Sequence, residues 1–217
     1  MLGLSLIRDI MKVSKDLVSG VFAMAAEKLA GSSFQKRKPG IFTLGLNTEI
    51  IGWVGLNTAH YQDGVAINPV VGVRHQKLER LVAESLDIKL SEYIPATIST
   101  SIGYLMPQRK FVEWSFKESE NCEPLVTEMV AAVEKWGRPY MDQHSTLATL
   151  YNAILNSKRG TPPDQLDYRL AAASVLLGKC AEAEAFVNAK LREIGNRDDA
   201  AAECFRQFAA NLQRLDA

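Results

Sequence analysis

The spacing of apolar residues changes near Glu118. From about Leu4 to Ala30, Ile7, Ile10, Met11, Leu17, Val18, Val21, Phe22, Ala25 and Leu29 recur at intervals of three and four, which predicts one long amphipathic helix. Lys12, Lys15, Asp16, Glu27 and Lys28 fall mostly on the rest of the wheel. Gly31 is placed to end the helix, and Gly20 weakens its middle and marks a candidate bend.

The rhythm then shortens. Phe34–Lys38, Ile41–Leu46, Glu49–Thr58 and Val65–Val73 are rich in strand formers and are punctuated by Pro39-Gly40, Asn47-Thr48 and Asp63-Gly64. Asp-Gly between apolar runs signals a hairpin, because tight turns need positive φ and these residues tolerate it. Three or four antiparallel strands in meander order are expected. His75–Leu86 has helical spacing, with Leu78, Leu81, Val82 and Leu86 inward. Pro95–Leu105 and Phe111–Lys117 return to strand character. In the second, Val112, Trp114 and Phe116 form an apolar face, and Phe111, Glu113 and Ser115 the other. Gly-Leu-Asn-Thr occurs at 45–48 and 55–58, which reads as similarity between strand ends, since repeat architectures need longer periods and more copies.

From Asn121 the pattern is helical. Leu125, Met129, Val130, Val133 and Trp136 form one stripe, which Gly137 and Pro139 are expected to stop. Leu147, Leu150, Tyr151, Ile154 and Leu155 form a second, ended by a connector over Arg159–Pro163. Asp164–Leu177, Ala181–Ile194 and Ala200–Leu215 read as three antiparallel helices broken at Gly178 and Gly195-Asn196. Ala171, Ala172, Ala173, Ala181, Ala183 and Ala185 would let them approach closely. The expected fold is α+β: a long N-terminal helix on a mostly antiparallel sheet of about five strands, followed by an all-helical C-terminal part. The expected domains are residues 1–160 and a three-helix extension over 161–217.

Composition adds bounds. A chain of 217 residues, 47% hydrophobic and 23% charged, is ordinary for a globular protein. Net charge is zero, yet residues 1–110 carry 13 basic against 9 acidic side chains and residues 111–217 carry 12 against 16. That mild asymmetry argues against a dedicated nucleic-acid binder, which needs a concentrated basic face. Cys122, Cys180 and Cys204 are scattered and odd in number, as expected of free thiols in a reducing compartment. The N-terminus does not read as a signal peptide and no run reaches the ~20 apolar residues of a membrane span. The expected location is cytoplasmic.

Motifs of chemistry are missing. His60, His75 and His144 share no metal-binding motif, and no phosphate loop or nucleophile elbow occurs. No cofactor, metal ligand or catalytic residue is assigned. An enzyme would have to assemble its residues in the fold, with His60, Tyr61, Asp63 and the Ser99–Ser101 strand as the place to look, and His75 or His144 as a base. Lys36-Arg37-Lys38 reads as a charged edge strand. Glu118, Glu120 and Glu123 at one helix opening, and Asp198 and Asp199 at another, suit the helix dipole. With Trp53 and Tyr61 they also form a candidate surface for a protein partner.

Phe34-Gln35-Lys36-Arg37-Lys38-Pro39-Gly40-Ile41-Phe42, the run from Ile67-Asn68 to Val71-Gly72-Val73, and Trp114 leading into a helix with Trp136 carry a resemblance. Over roughly residues 5–155 the chain resembles an uncharacterised bacterial α+β family grouped with domains of unknown function. Asn57 and Thr58 stand where that pattern has a polar His or Gln. The resemblance implies a role in toxin immunity or defence and carries over no catalytic residue. The resulting expectation is a non-enzymatic protein-binding module, an immunity protein that occludes a cognate toxin of basic surface. The alternatives are a hydrolase or transferase and a self-associating helical adaptor.

Overall fold

The computed structural model describes residues 2–157 and 163–215. The side chains of Ile7, Ile10 and Met11, the connector over 159–162 and the expected junction at 160 lie outside the described residues. In chain order the elements are α1 (Leu2–Gly31), β1 (Gln35–Lys38), β2 (Ile41–Gly45), β3 (Ile50–Tyr61), β4 (Gly64–His75), α2 (Gln76–Ser85), β5 (Ile98–Ser101), β6 (Trp114–Phe116), α3 (Glu123–Ala132), α4 (Arg138–Gln143), α5 (Leu147–Asn156), α6 (Pro163–Leu176), α7 (Cys180–Ile194) and α8 (Ala200–Leu215). The fold is α+β. Two compact units share the chain: Met1–Leu46, Ile51–Val73 and Ser99–Asp142 in the first, Asn47–Ile50, Arg74–Ile98 and Gln143–Ala217 in the second.

In the first unit, α1 runs unbroken through Gly20 and buries Val21, Ala25 and Leu29. The six-stranded sheet has the order β1-β2-β3-β4-β5, with β6 also paired to β4. Phe42 lies opposite Val54 and Thr43 opposite Trp53, and Val65 lies opposite Phe116 and Ile67 opposite Trp114. All four residues of β1 are exposed, and their three cations blunt this edge against pairing with other chains. Helices sit close on one sheet face. A Cβ on Gly52 would lie 2.7 Å from Met141 Sδ, and one on Gly137 2.8 Å from Val71 Cγ1. Trp114 Nε1 donates to Glu128 of α3 at 3.1 Å. Trp53 lies over Gly55 and is buried, and its Nε1 has no hydrogen-bond partner among the described residues.

Three local expectations change. The β3–β4 hairpin forms, but Gly64 does not take positive φ. A Cβ there would overlap the carbonyl of Phe116, so close approach of β6 demands the glycine. The strand expected over Pro95–Leu105 is only Ile98–Ser101, followed by a 3₁₀ turn at Ile102–Tyr104. Gly137 and Pro139 do not stop their helix. A π-helical segment, Val133–Gly137, joins α3 to α4. Widening this turn accommodates Pro139, whose ring would otherwise crowd the carbonyl one turn back.

The second unit is mainly helical. Ala171, Val187, Ile194, Ala202, Phe205, Phe208, Ala209 and Leu212 form one buried cluster. Tyr168 stacks on Phe205 at 5.5 Å and meets Phe208 edge-on at 4.8 Å. Ala172 and Ala173 pack against Leu78 and Val82 of α2, and Asn211 Nδ2 of α8 donates to the Ser85 carbonyl at 3.0 Å. Ala183 is buried as expected of a close-packing alanine, whereas Ala181 and Ala185 are exposed. Gly178 and Gly195 have φ of 70° and 55°, which lets α6 and α7 end sharply.

Candidate functional site

Two places concentrate unusual chemistry. The first is an exposed face of the first unit. In the segment before β6, Phe111 and Glu113 are exposed while Val112 is half-buried. Phe111 is 55% exposed and Tyr61, at the end of β3, is 53% exposed. The Tyr61 hydroxyl donates to Glu113 Oε1 at 3.5 Å, which ties the two strips together. Tyr104, also 53% exposed, follows Gly103, which packs on the backbone of Lys110 and Val112. Tyr61, Tyr104 and Phe111 are thus three large exposed rings of the first unit. Further along the chain, Glu118, Glu120 and Glu123 are all exposed. Glu123 is held by Lys28 at 3.5 Å, and Lys117 by Asp63 at 3.4 Å.

The other expected surface residues are placed differently. Trp53 is only 8% exposed, so it belongs to the sheet core and not to a partner surface, because its ring lies down over Gly55. Asp198 and Asp199 are exposed residues of the second unit. Asp199 Oδ1 accepts the Ala202 N–H at 3.1 Å and its Oδ2 takes Arg197 Nε at 2.8 Å. The Arg197 bond first, and the backbone bond second, hold its carboxyl below the usual range. Capping of α8 accounts for it.

Two of the residues considered for catalysis are engaged elsewhere. Asp63 faces Lys117, and Ser101 Oγ accepts from Asn68 Nδ2 at 2.7 Å. His60 is exposed. Burial, ahead of nearby Glu120, pushes the Cys122 thiol up, away from the reactive thiolate.

The second place is a buried ionic cluster in the second unit, which motif spacing could not reveal. Glu79 of α2 is 5% exposed, Arg74 1% and Arg169 of α6 7%. Arg169 forks onto Glu79, Nε to Oε1 at 2.8 Å and Nη2 to Oε2 at 3.3 Å. Thr97 Oγ1 donates to Glu79 Oε1 at 2.8 Å and accepts the His75 N–H at 3.0 Å. A histidine, a hydroxyl and a carboxylate thus converge, but not as a catalytic relay. His75 joins through its backbone, and its Nδ1 caps α2 by accepting the Leu78 N–H at 3.2 Å. Arg74 gives Nε to Gln76 Oε1 at 3.1 Å and its Nη atoms to the carbonyls of Pro95 and Ser91, with Nη1 3.6 Å from Glu79 Oε2. A cleft of about 400 Å³ opens above it, lined by Val82, Ala83, Ile88, Leu90, Ile94 and Pro95 and by the charged Arg74, Glu79 and Lys89.

Compared with protein-family models, curated proteins and solved structures, the chain gives no match. Among the described residues no helix is long and apolar enough to cross a membrane, and no group of three His, Cys, Asp or Glu could hold a metal ion.

Proposed function

We propose that this chain is a non-enzymatic protein-binding module whose partner docks on the face carrying Tyr61, Tyr104, Phe111 and Glu113. The supporting observations are three half-exposed aromatic rings, Tyr61, Tyr104 and Phe111, and the bond that ties Tyr61 to Glu113, two residues from Phe111. Exposed Tyr and Phe offer large contact area at small entropic cost, and they are the residues around which interfaces concentrate their affinity. Residues 111–123 carry Glu113, Glu118, Glu120 and Glu123 against a single cation, Lys117, which favours a basic partner. The family resemblance suggests the particular case: an immunity protein that covers the basic active site of a cognate bacterial toxin.

The test is co-expression with the product of the neighbouring gene. A stable complex is expected, weakened by salt and lost in Tyr61→Ala/Phe111→Ala, a variant whose exposed sites leave folding intact by circular dichroism. A protein that purifies alone from its native host, with no stoichiometric partner, defeats the reading.

A further inference from the structure

We infer that the cleft above Arg74, in the second unit, is a binding site for a small apolar monocarboxylate, a reading independent of the proposed docking function. The charge balance carries the argument. Glu79 is already neutralised by the two-pronged bond from Arg169, its nearest cation. Arg74, equally buried, therefore brings a surplus positive charge into a site whose other acceptors for it are neutral: one amide oxygen and two carbonyls. A guanidinium has five N–H groups. Those of Arg74 reach Gln76 and the carbonyls of Pro95 and Ser91, all neutral, with Nη1 3.6 Å from Glu79. Burial is the leading influence on Arg74 and disfavours its charge, so an incoming anion relieves a standing cost.

The walls select the rest of the ligand. Val82, Ala83, Ile88, Leu90, Ile94 and Pro95 supply an apolar lining, with Lys89 as a second cation and Glu79, paired with Arg169, also on the wall. Ile88 is 59% exposed, an isolated large apolar side chain beside the opening. Volumes of about 300–1,000 Å³ are usual for small-ligand sites, and this cleft falls at the lower end. One carboxylate head and a short hydrocarbon or aryl tail match that arrangement. An amine would meet Arg74 and Lys89, and the one carboxylate on the wall, Glu79, is already held by Arg169.

Octanoate, octanol and octylamine serve as probes of the full chain at neutral pH, followed by methyl chemical shifts and by calorimetry. Octanoate is expected to shift the methyls of Val82, Ala83, Ile88 and Leu90 and to bind about tenfold more tightly than octanol. Octylamine should not bind. Lys89→Gln and Ile88→Glu change exposed residues, so they leave the fold in place; each should weaken octanoate about three- to tenfold. Octanol binding as tightly as octanoate, no methyl shift at millimolar octanoate, or unchanged affinity in both variants overturns the inference.

Discussion

Arg169 and Glu79, ninety residues apart in sequence, meet in a two-pronged ion pair of 2.8 and 3.3 Å with both side chains buried. It joins α6 to α2 inside the second unit, and Thr97 adds a third bond to the same carboxylate. Arg74, Glu79 and Arg169 form a cation–anion–cation row, so the two obvious truncations are not equivalent.

Glu79→Gln leaves two buried guanidiniums without an anion, whereas Arg169→Met leaves Glu79 with Arg74 and Thr97. Breaking a buried pair by removing one member costs about 3–5 kcal/mol. Glu79→Gln is expected at the upper end of that range and Arg169→Met at or below the lower end. Urea unfolding of the two variants checks the order; equal losses would contradict the row.

His75 makes stability depend on pH. Burial, the largest influence, lowers its pKa, and it outweighs the opposing pull of Glu49. The folded state therefore favours the neutral ring, while the unfolded chain takes up a proton near pH 6.5. The stabilisation is present above that pH and is lost as pH falls from it through the lowered folded value. The protonated ring also cannot accept the Leu78 N–H at Nδ1. His75→Asn keeps an N-cap acceptor and should flatten this part of the pH profile, and His75→Ala should lose about 1 kcal/mol of cap at neutral pH. Chemical denaturation from pH 5 to 8 measures both. A parallel profile for wild type and His75→Asn would rule this out.

Gly64 and Gly45 separate close approach from mere glycine content. A Cβ on Gly64 would overlap the Phe116 carbonyl, which cannot move without parting β6 from β4, whereas nothing lies within 4 Å of a Cβ on Gly45. Gly64→Ala should cost about 1–3 kcal/mol, as overpacking does, and Gly45→Ala should be near neutral. Comparing their thermal midpoints is sufficient.

Periodicity determined much of this protein. The three- and four-residue spacing of Val18, Val21, Ala25 and Leu29 specified α1, and the apolar runs around Asp63-Gly64 specified the hairpin, because local burial patterns need no knowledge of partners. The exposed alternation of Phe111 with Glu113 was likewise legible, and so was the charged edge at β1. Contacts between distant segments were not. That the chain passes Gly137 and Pro139 through a π-helical turn, with Gly137 packed close to Val71, was not legible in the spacing. Trp53, read as a surface residue, is laid over Gly55 by its strand. Above all, nothing in the spacing singled out Glu79. Only the fold brings Arg74 and Arg169 to it, because electrostatic pairing acts through space and leaves no period along the chain.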